Sequence, residues 1–249
     1  MALMASSAAA LLSPGQRGAL DALVTDLSAA FGVRLSSIVA YDLDRANRGG
    51  ELHTLALVEH LTADDLRPLV PLARGWERRR LAVPLILTRD ELVRTLDVFP
   101  LEYGTIIASH VLVFGRDPFA GMQVSDTDWR RGCELQAKSH LIHLREAFLQ
   151  TEGDARRVAQ LIRASIPAFR AVIGNIVRLE RGHEWRVNVY DDEHLAGEAE
   201  QIIGVPSTRV IEVLRAADGV GTVADPSLFL ARYVEVSERI WQFVDRWRG

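Results

Sequence analysis

The feature that most constrains this chain is a change of hydrophobic period near its middle. Up to about residue 120 the apolar residues come in short runs bounded by turn formers, with short amphipathic stretches between them. From 126 to 149, and again from 154 to 179, they keep a helical spacing without interruption. In the second stretch Val158, Leu161, Ile162, Ser165, Ile166, Phe169, Val172, Ile173 and Ile176 trace one stripe, as expected of a helix face turned to a core. Pro167 is expected to bend that helix. A strand repeats every two residues and a helix every 3.6, so the two halves cannot share one architecture. The sequence predicts an α/β domain over 14–120 and a helical domain over 121–249, preceded by a disordered, alanine-rich tail over 1–13.

Within the first half, Leu20, Leu23, Val24, Leu27 and Phe31 lie on one helical face, which Gly32 closes. Strand-like runs follow at 35–41 and 52–58, with a polar, glycine-containing loop at 42–50 between them. Thr62 caps a short helix. A third apolar run, 81–87, contains Pro84, which restricts it to an edge or a bulge. Thr88 and Glu91 form a capping box that opens another helix, and 111–114 is a fourth strand. In the second half, shorter helices are expected around 195–203 and 210–214, and a last one over about 227–247.

Composition narrows the function classes. Of 249 residues, 48% are hydrophobic and 25% charged, with a formal net charge of -4, the balance of a soluble globular protein. Such a surface gives no general attraction for nucleic acid or anionic membrane. No apolar run approaches the ~20 residues that span a bilayer. The single cysteine, Cys133, leaves no internal disulfide and no Cys-based zinc site, which fits a reducing cytoplasm. Lys138 is the only lysine among 29 Lys+Arg, a bias that GC-rich codon usage explains more simply than a need for arginine.

The segments FGVRLSSIVAY at 31–41, VPLILT at 83–88, LDVFPLE at 96–102 and VLVFGRDP at 111–118 follow one another as helix end, strand, loop, strand, helix, strand, helix, strand. This order resembles the nucleotidyltransferase superfamily, which includes the kanamycin nucleotidyltransferases and the minimal bacterial nucleotidyltransferases. It is most similar to uncharacterised bacterial members with a helical C-terminal half. The resemblance implies an α+β fold: a nucleotidyltransferase-like mixed sheet flanked by helices, followed by an all-helical bundle. Active members carry Gly-Ser after the first strand, Asp-x-Asp on the second and a further carboxylate on a later strand. These oxygen ligands hold the divalent ions that brace phosphoryl transfer. Here Asp42-Leu43 stands where Gly-Ser is expected, Thr54-Leu-Ala56 where Asp-x-Asp is expected, and 81–87 has no carboxylate.

The resemblance therefore implies a degenerate metal site, no resident cofactor, and a non-catalytic nucleotide- or phosphate-binding or regulatory module. The ligand candidates are Asp42, Asp44, Arg45, Arg48, Gly49 and Gly50 in the first loop, and Lys138 and Arg145 in the helical half. Glu134, Lys138, Leu141 and Arg145 fall on one helical face, with Glu134 and Lys138 spaced for an ion pair. Kanamycin-type enzymes take a general base from the helical domain, so Glu134 is one catalytic candidate, and Asp44, as a displaced carboxylate in the first loop, is the other. An active, Mg²⁺-dependent nucleotidyltransferase using displaced carboxylates such as Asp42, Asp44 and Glu51 is one alternative. A haloacid-dehalogenase-like phosphatase is another: Asp42-Leu-Asp44 resembles its first motif, and Asp191-Asp192, after the run 187–190, its acidic pair.

His140 and His143 read as surface residues. The run Trp76-Glu-Arg-Arg-Arg80 reads as a solvated helix end. The apolar last helix, with Tyr233, Trp241, Phe243 and Trp247, reads as core or as an interface with a second copy or a helical partner. Neither membrane nor nucleic acid is expected as a partner.

Overall fold

In the computed structural model the described residues are 12–182, 185, 189–219 and 225–248. The predicted tail lies outside them except for Leu12 and Ser13. Leu12 is buried, and Ser13 begins the first helix rather than ending a tail.

That helix, α1 (Pro14–Phe31), starts in a reciprocal cap. The Gln16 amide donates to Ser13 Oγ at 3.2 Å while Gln16 Oε1 accepts from the Ser13 amide at 2.7 Å, and Pro14 supplies a pre-set first position. Gly32, at φ 56°, ends it. Its apolar stripe, Leu20, Leu23, Leu27 and Phe31, is fully buried; truncating any of these leucines to alanine costs about 2–5 kcal/mol.

Four strands form one sheet: β1 (Leu35–Tyr41), β2 (His53–Val58), β3 (Leu85–Thr88) and β4 (Val111–Gly115), in the order β3-β2-β1-β4. β1 is antiparallel to both β2 and β4, and β2 is parallel to β3. The expected third strand is shorter than its apolar run. Pro84 cannot donate to a ladder, so β3 starts after it, and Leu81 makes only an isolated bridge to Leu52. The register of β1 against β4 shifts between Ile38 and Val39. At Gly115, φ is 77° and an added Cβ would lie 2.0 Å from the Ser36 carbonyl oxygen, so only glycine fits there.

Helices cover both faces of the sheet. On one, α1 packs with Ile38 and Ala40 of β1, Ala56 and Val58 of β2, and Val111 and Val113 of β4, joined by Leu69, Trp76 and Leu81. These last three belong to the long crossover that the parallel β2–β3 pair requires. A short helix, α2 (Leu43–Asn47), sits between β1 and β2, and the crossover itself contains α3 (Ala63–Leu66), a 3-10 stretch (Arg67–Leu72) and α4 (Ala73–Arg78). Trp76 is 1% exposed, and its Nε1 donates to Asp26 Oδ2 at 2.8 Å; it is a core anchor, and only the arginines after it form the solvated helix end. Arg34 donates to Asp65 at 2.7 Å, and this bond, with those from Thr62, holds the Asp65 carboxyl well below the usual carboxylate range. On the other face Val39, Leu55 and Leu57 meet Leu92, Tyr103, Ile106 and Phe119, supplied by α5 (Arg89–Arg94), α6 (Pro100–Ala108) and the turn after β4.

The first compact unit ends at Val124 and the second begins at Ser125. The second is all-helical among the described residues: α7 (Asp126–Gln150), α8 (Ala155–Arg181), α9 (Asp192–Ile203), α10 (Ser207–Gly219) and α11 (Pro226–Arg246). α7, α8 and α11 pack on one another, and α9 and α10 pair beside α8. The α8 stripe is buried at Val158, Ile162, Ile166, Phe169, Val172, Ile173 and Ile176, against Trp129, Cys133, Ala137, Leu141 and Leu144 of α7. Polar bonds fix the α7–α8 register. Trp129 Nε1 donates to the Asn175 carbonyl at 3.0 Å, and Asn175 Nδ2 donates to Gln136 Oε1 at 2.9 Å. Arg170 of α8 donates to the carbonyls of Val189 and Leu214 and pairs with Asp192, tying α9 and α10 to the bundle.

The fold is therefore α+β: a four-stranded mixed sheet flanked by helices, with a helical C-terminal region.

Candidate functional site

β1 delivers the chain to Asp42, where the backbone turns into the left-handed region at φ 58°, ψ 40°. An aspartate tolerates that conformation better than most side chains. The stretch expected as an open loop is partly helical. The Asp42 carbonyl accepts the Ala46 amide at 3.2 Å, and the Gly49 and Gly50 amides close back on Ala46 and Arg45. Two side chains anchor this turn. Gln16 Nε2 of α1 donates to Asn47 Oδ1 at 3.2 Å, and Arg80 donates to the Gly49 carbonyl at 2.7 Å. The Arg45 side chain lies across Gly50, where an added Cβ would sit 2.7 Å from Arg45 Cγ. Asp44, Arg45 and Arg48 are exposed, and Asp42 is half-buried.

The register corrects the placing of the expected metal pair. Thr54 lies opposite Ala40, and Ala56 opposite Ile38. Cross-strand partners share a face, and Ala40, Ile38 and Ala56 all pack towards α1. Thr54 and Ala56 thus point into the α1 core, where the Thr54 hydroxyl is buried without a hydrogen-bond partner. The β2 side chains on the opposite face are His53, Leu55 and Leu57, of which His53 and Leu55 lie nearest the turn. His53 pairs with Tyr41, and the two rings meet edge to face at 5.5 Å. Burial, followed by Asp42 and Tyr103, raises the Tyr41 pKa. Tyr103 shares a hydrogen bond of 3.1 Å with Thr95. An aromatic pair beside an apolar leucine therefore occupies the β2 positions that alternate on this face. Among the described residues no three His, Cys, Asp or Glu side chains converge as a cation cage.

Tyr41, His53 and Arg80 are functional-site neighbours that the motif comparison passed over. The period-two rule carries the signal for the first two. Once Ala40 is assigned to the α1 face, Tyr41 and its partner must lie on the other.

In the second unit the remaining candidates are engaged in packing. The predicted Glu134–Lys138 pair does not form. Glu134 accepts from Arg130 at 3.1 Å, one turn earlier, and the Lys138 ammonium lies 3.4 Å from the centroid of the Trp241 ring, an attractive cation–π contact. Arg145 pairs with Glu238 at 3.3 Å. The shared helix face is real, but α11 takes up its two cations. His140 is no surface residue either. Its Nε2 lies 3.0 Å from the Tyr233 hydroxyl, and its ring packs against Phe169 and Tyr233, while His143 is exposed as expected. Asp191 caps α9 by accepting the His194 amide at 3.0 Å, and Asp192 pairs with Arg170. Neither member of that acidic pair is left over for a phosphatase site; Val187 and Asn188 of the run before it lie outside the described residues. The antiparallel pairing of β1 with both neighbours also departs from the parallel strands that the phosphatase alternative needs.

Comparison with protein-family models, with curated proteins and with solved structures gave no match.

Proposed function

We propose that the first unit is a nucleotidyltransferase-like module that binds a nucleotide or phosphate at the turn after β1 without two-metal transfer. The sheet supports this reading by being mixed, as the resemblance implied, with β1 antiparallel to β2 and β2 parallel to β3. One observation carries the non-catalytic part. The two β2 side chains that share a face on the side away from α1, nearest the turn, are His53 and Leu55, so the pair of alternate carboxylates has no counterpart on either face. A hard divalent ion needs oxygen ligands, and an imidazole beside a leucine supplies none.

What the turn offers instead is positive charge on a pinned backbone. Arg45 and Arg48 stand, beside Asp42 and Asp44, on a short helix whose carboxyl end is tied to α1 through Asn47 and to Arg80 through the Gly49 carbonyl. The test is titration calorimetry of the full chain with ATP, with and without Mg²⁺, beside a radiolabel transfer assay. Binding should be independent of Mg²⁺ and weakened by Arg45→Ala. Transfer of a nucleotide that requires Mg²⁺ and is lost in Asp44→Ala would overturn the reading in favour of displaced carboxylates.

A further inference from the structure

The second unit holds a groove that none of the candidates above explains. It lies between the start of α10 and the side of α11, with a volume of about 280 Å³, and is lined by Val205, Pro206, Arg209, Arg232, Glu235, Val236 and Arg239. On α11, Arg232, Val236 and Arg239 are spaced four and three residues apart, so they share one face, and Arg209 approaches from α10. The floor is apolar: Val205 is 1% and Val236 6% exposed.

We propose that this groove binds the phosphate group of a small phosphorylated molecule. Three guanidiniums line it, and their recorded partners leave most of their donors open. Arg209 reaches Glu212 at 3.4 Å and Arg232 reaches the same carboxylate at 3.8 Å, both long contacts. Arg239 has no ion pair among the described residues. Each guanidinium carries five N–H donors in a planar fork that matches phosphate oxygens. The groove also opens at the amino end of α10, whose dipole favours an anion, although the Arg209 and Val210 amides already donate to the Pro206 carbonyl at 2.9 and 3.3 Å. Glu235 lies between Arg232 and Arg239 on the same face and opposes the anion, so the lining is three cations against Glu235 and the shared Glu212. The volume sits just below the usual range of small-molecule sites, about 300–1,000 Å³. It suits a phosphate with a small organic group on the valine floor, not a whole nucleotide. This site is independent of the turn after β1.

Calorimetric titration of the full chain with inorganic phosphate, at constant ionic strength held by chloride, tests the proposal. Saturable binding is expected. Arg239→Gln should weaken it about tenfold, the loss of a charge-assisted bond pair, and Arg239→Lys should weaken it less. Glu235→Gln should tighten it several-fold, an outcome that damage to the fold cannot produce. Arg45→Gln, which removes any phosphate bound at the turn after β1, should leave the Arg239-dependent binding unchanged. Non-saturable binding, equal affinity in Arg239→Gln, no tightening in Glu235→Gln, or loss of the Arg239-dependent binding in Arg45→Gln would each overturn the assignment. Because ATP binding at the first unit is read through Arg45, failure of either proposal leaves the other standing.

Discussion

Acid should loosen the helical unit through one residue, His140. Its ring is enclosed by Phe169 and Tyr233, with Nε2 on the Tyr233 hydroxyl at 3.0 Å, and burial pushes its pKa down from 6.5 to about 4. A depressed histidine binds its proton more weakly in the folded state than in the unfolded one. Its stabilising contribution is therefore fully present above about pH 6.5 and is lost as pH falls from there towards 4. At 1.36 kcal/mol per pH unit the whole loss is about 3 kcal/mol, of which about 2 kcal/mol has gone at pH 5. Asp65 cannot mimic this, because its lowered pKa acts only below the ordinary carboxylate value of 3.8. The measurement is urea unfolding at pH 7.5 and pH 5, followed by tryptophan fluorescence. Trp129, Trp185, Trp241 and Trp247 belong to the second unit and only Trp76 to the first, so the signal reports mainly the helical unit. His140→Gln keeps a hydrogen-bonding partner for Tyr233 but cannot titrate, and every other histidine is common to both proteins. The variant should lose about 2 kcal/mol less than the native chain between the two pH values. Parallel losses in the two proteins would refute the argument.

Three other substitutions probe the packing directly. Thr54→Val replaces a buried, unpartnered hydroxyl with a methyl group and should raise stability by about 1 kcal/mol, seen as a higher urea midpoint; a lower midpoint would mean the hydroxyl has a partner. Gly115→Ala forces a Cβ to within 2.0 Å of the Ser36 carbonyl at φ 77°. It should cost more than about 2 kcal/mol, because backbone lies on the far side of the clash; calorimetric melting checks it. Arg170→Met leaves Asp192 with its side chain only 17% exposed and unpaired and should cost about 3 kcal/mol, while adding Asp192→Leu should recover part of that, read from melting of the single and double variants.

Much of the fold could be read from spacing alone. The long stripe of α8 and the switch from short runs to long helices survive because helical period and burial are set by the same 3.6-residue geometry. The cap at Thr62 and the capping box at Thr88 are local, and local bonds need no tertiary knowledge. What failed depended on partners far away in sequence. Which face of β2 turns to α1 is fixed by pairing with β1 and by a one-residue choice of register, and that choice placed Thr54 and Ala56 in the core. Lys138 met Trp241 and Glu134 met Arg130 because the approach of α11 decides between equally spaced helix neighbours. His140 carries no mark of burial until Phe169 and Tyr233 are folded around it. The turn after β1 was legible as polar and glycine-containing, but its anchors at Gln16 and Arg80 were not.

The solitary lysine has a practical consequence. Since Lys138 is the only lysine and its ammonium rests on the Trp241 ring, amine-directed reagents meet one side chain besides the α-amino group, and peptide mapping isolates that side chain at the contact between α7 and α11. A dye or isotope-labelled acyl group placed there would have to lift the ammonium from the indole before reacting. The rate of acylation thus becomes a clock for the separation of those two helices, readable by mass spectrometry on the unmodified sequence.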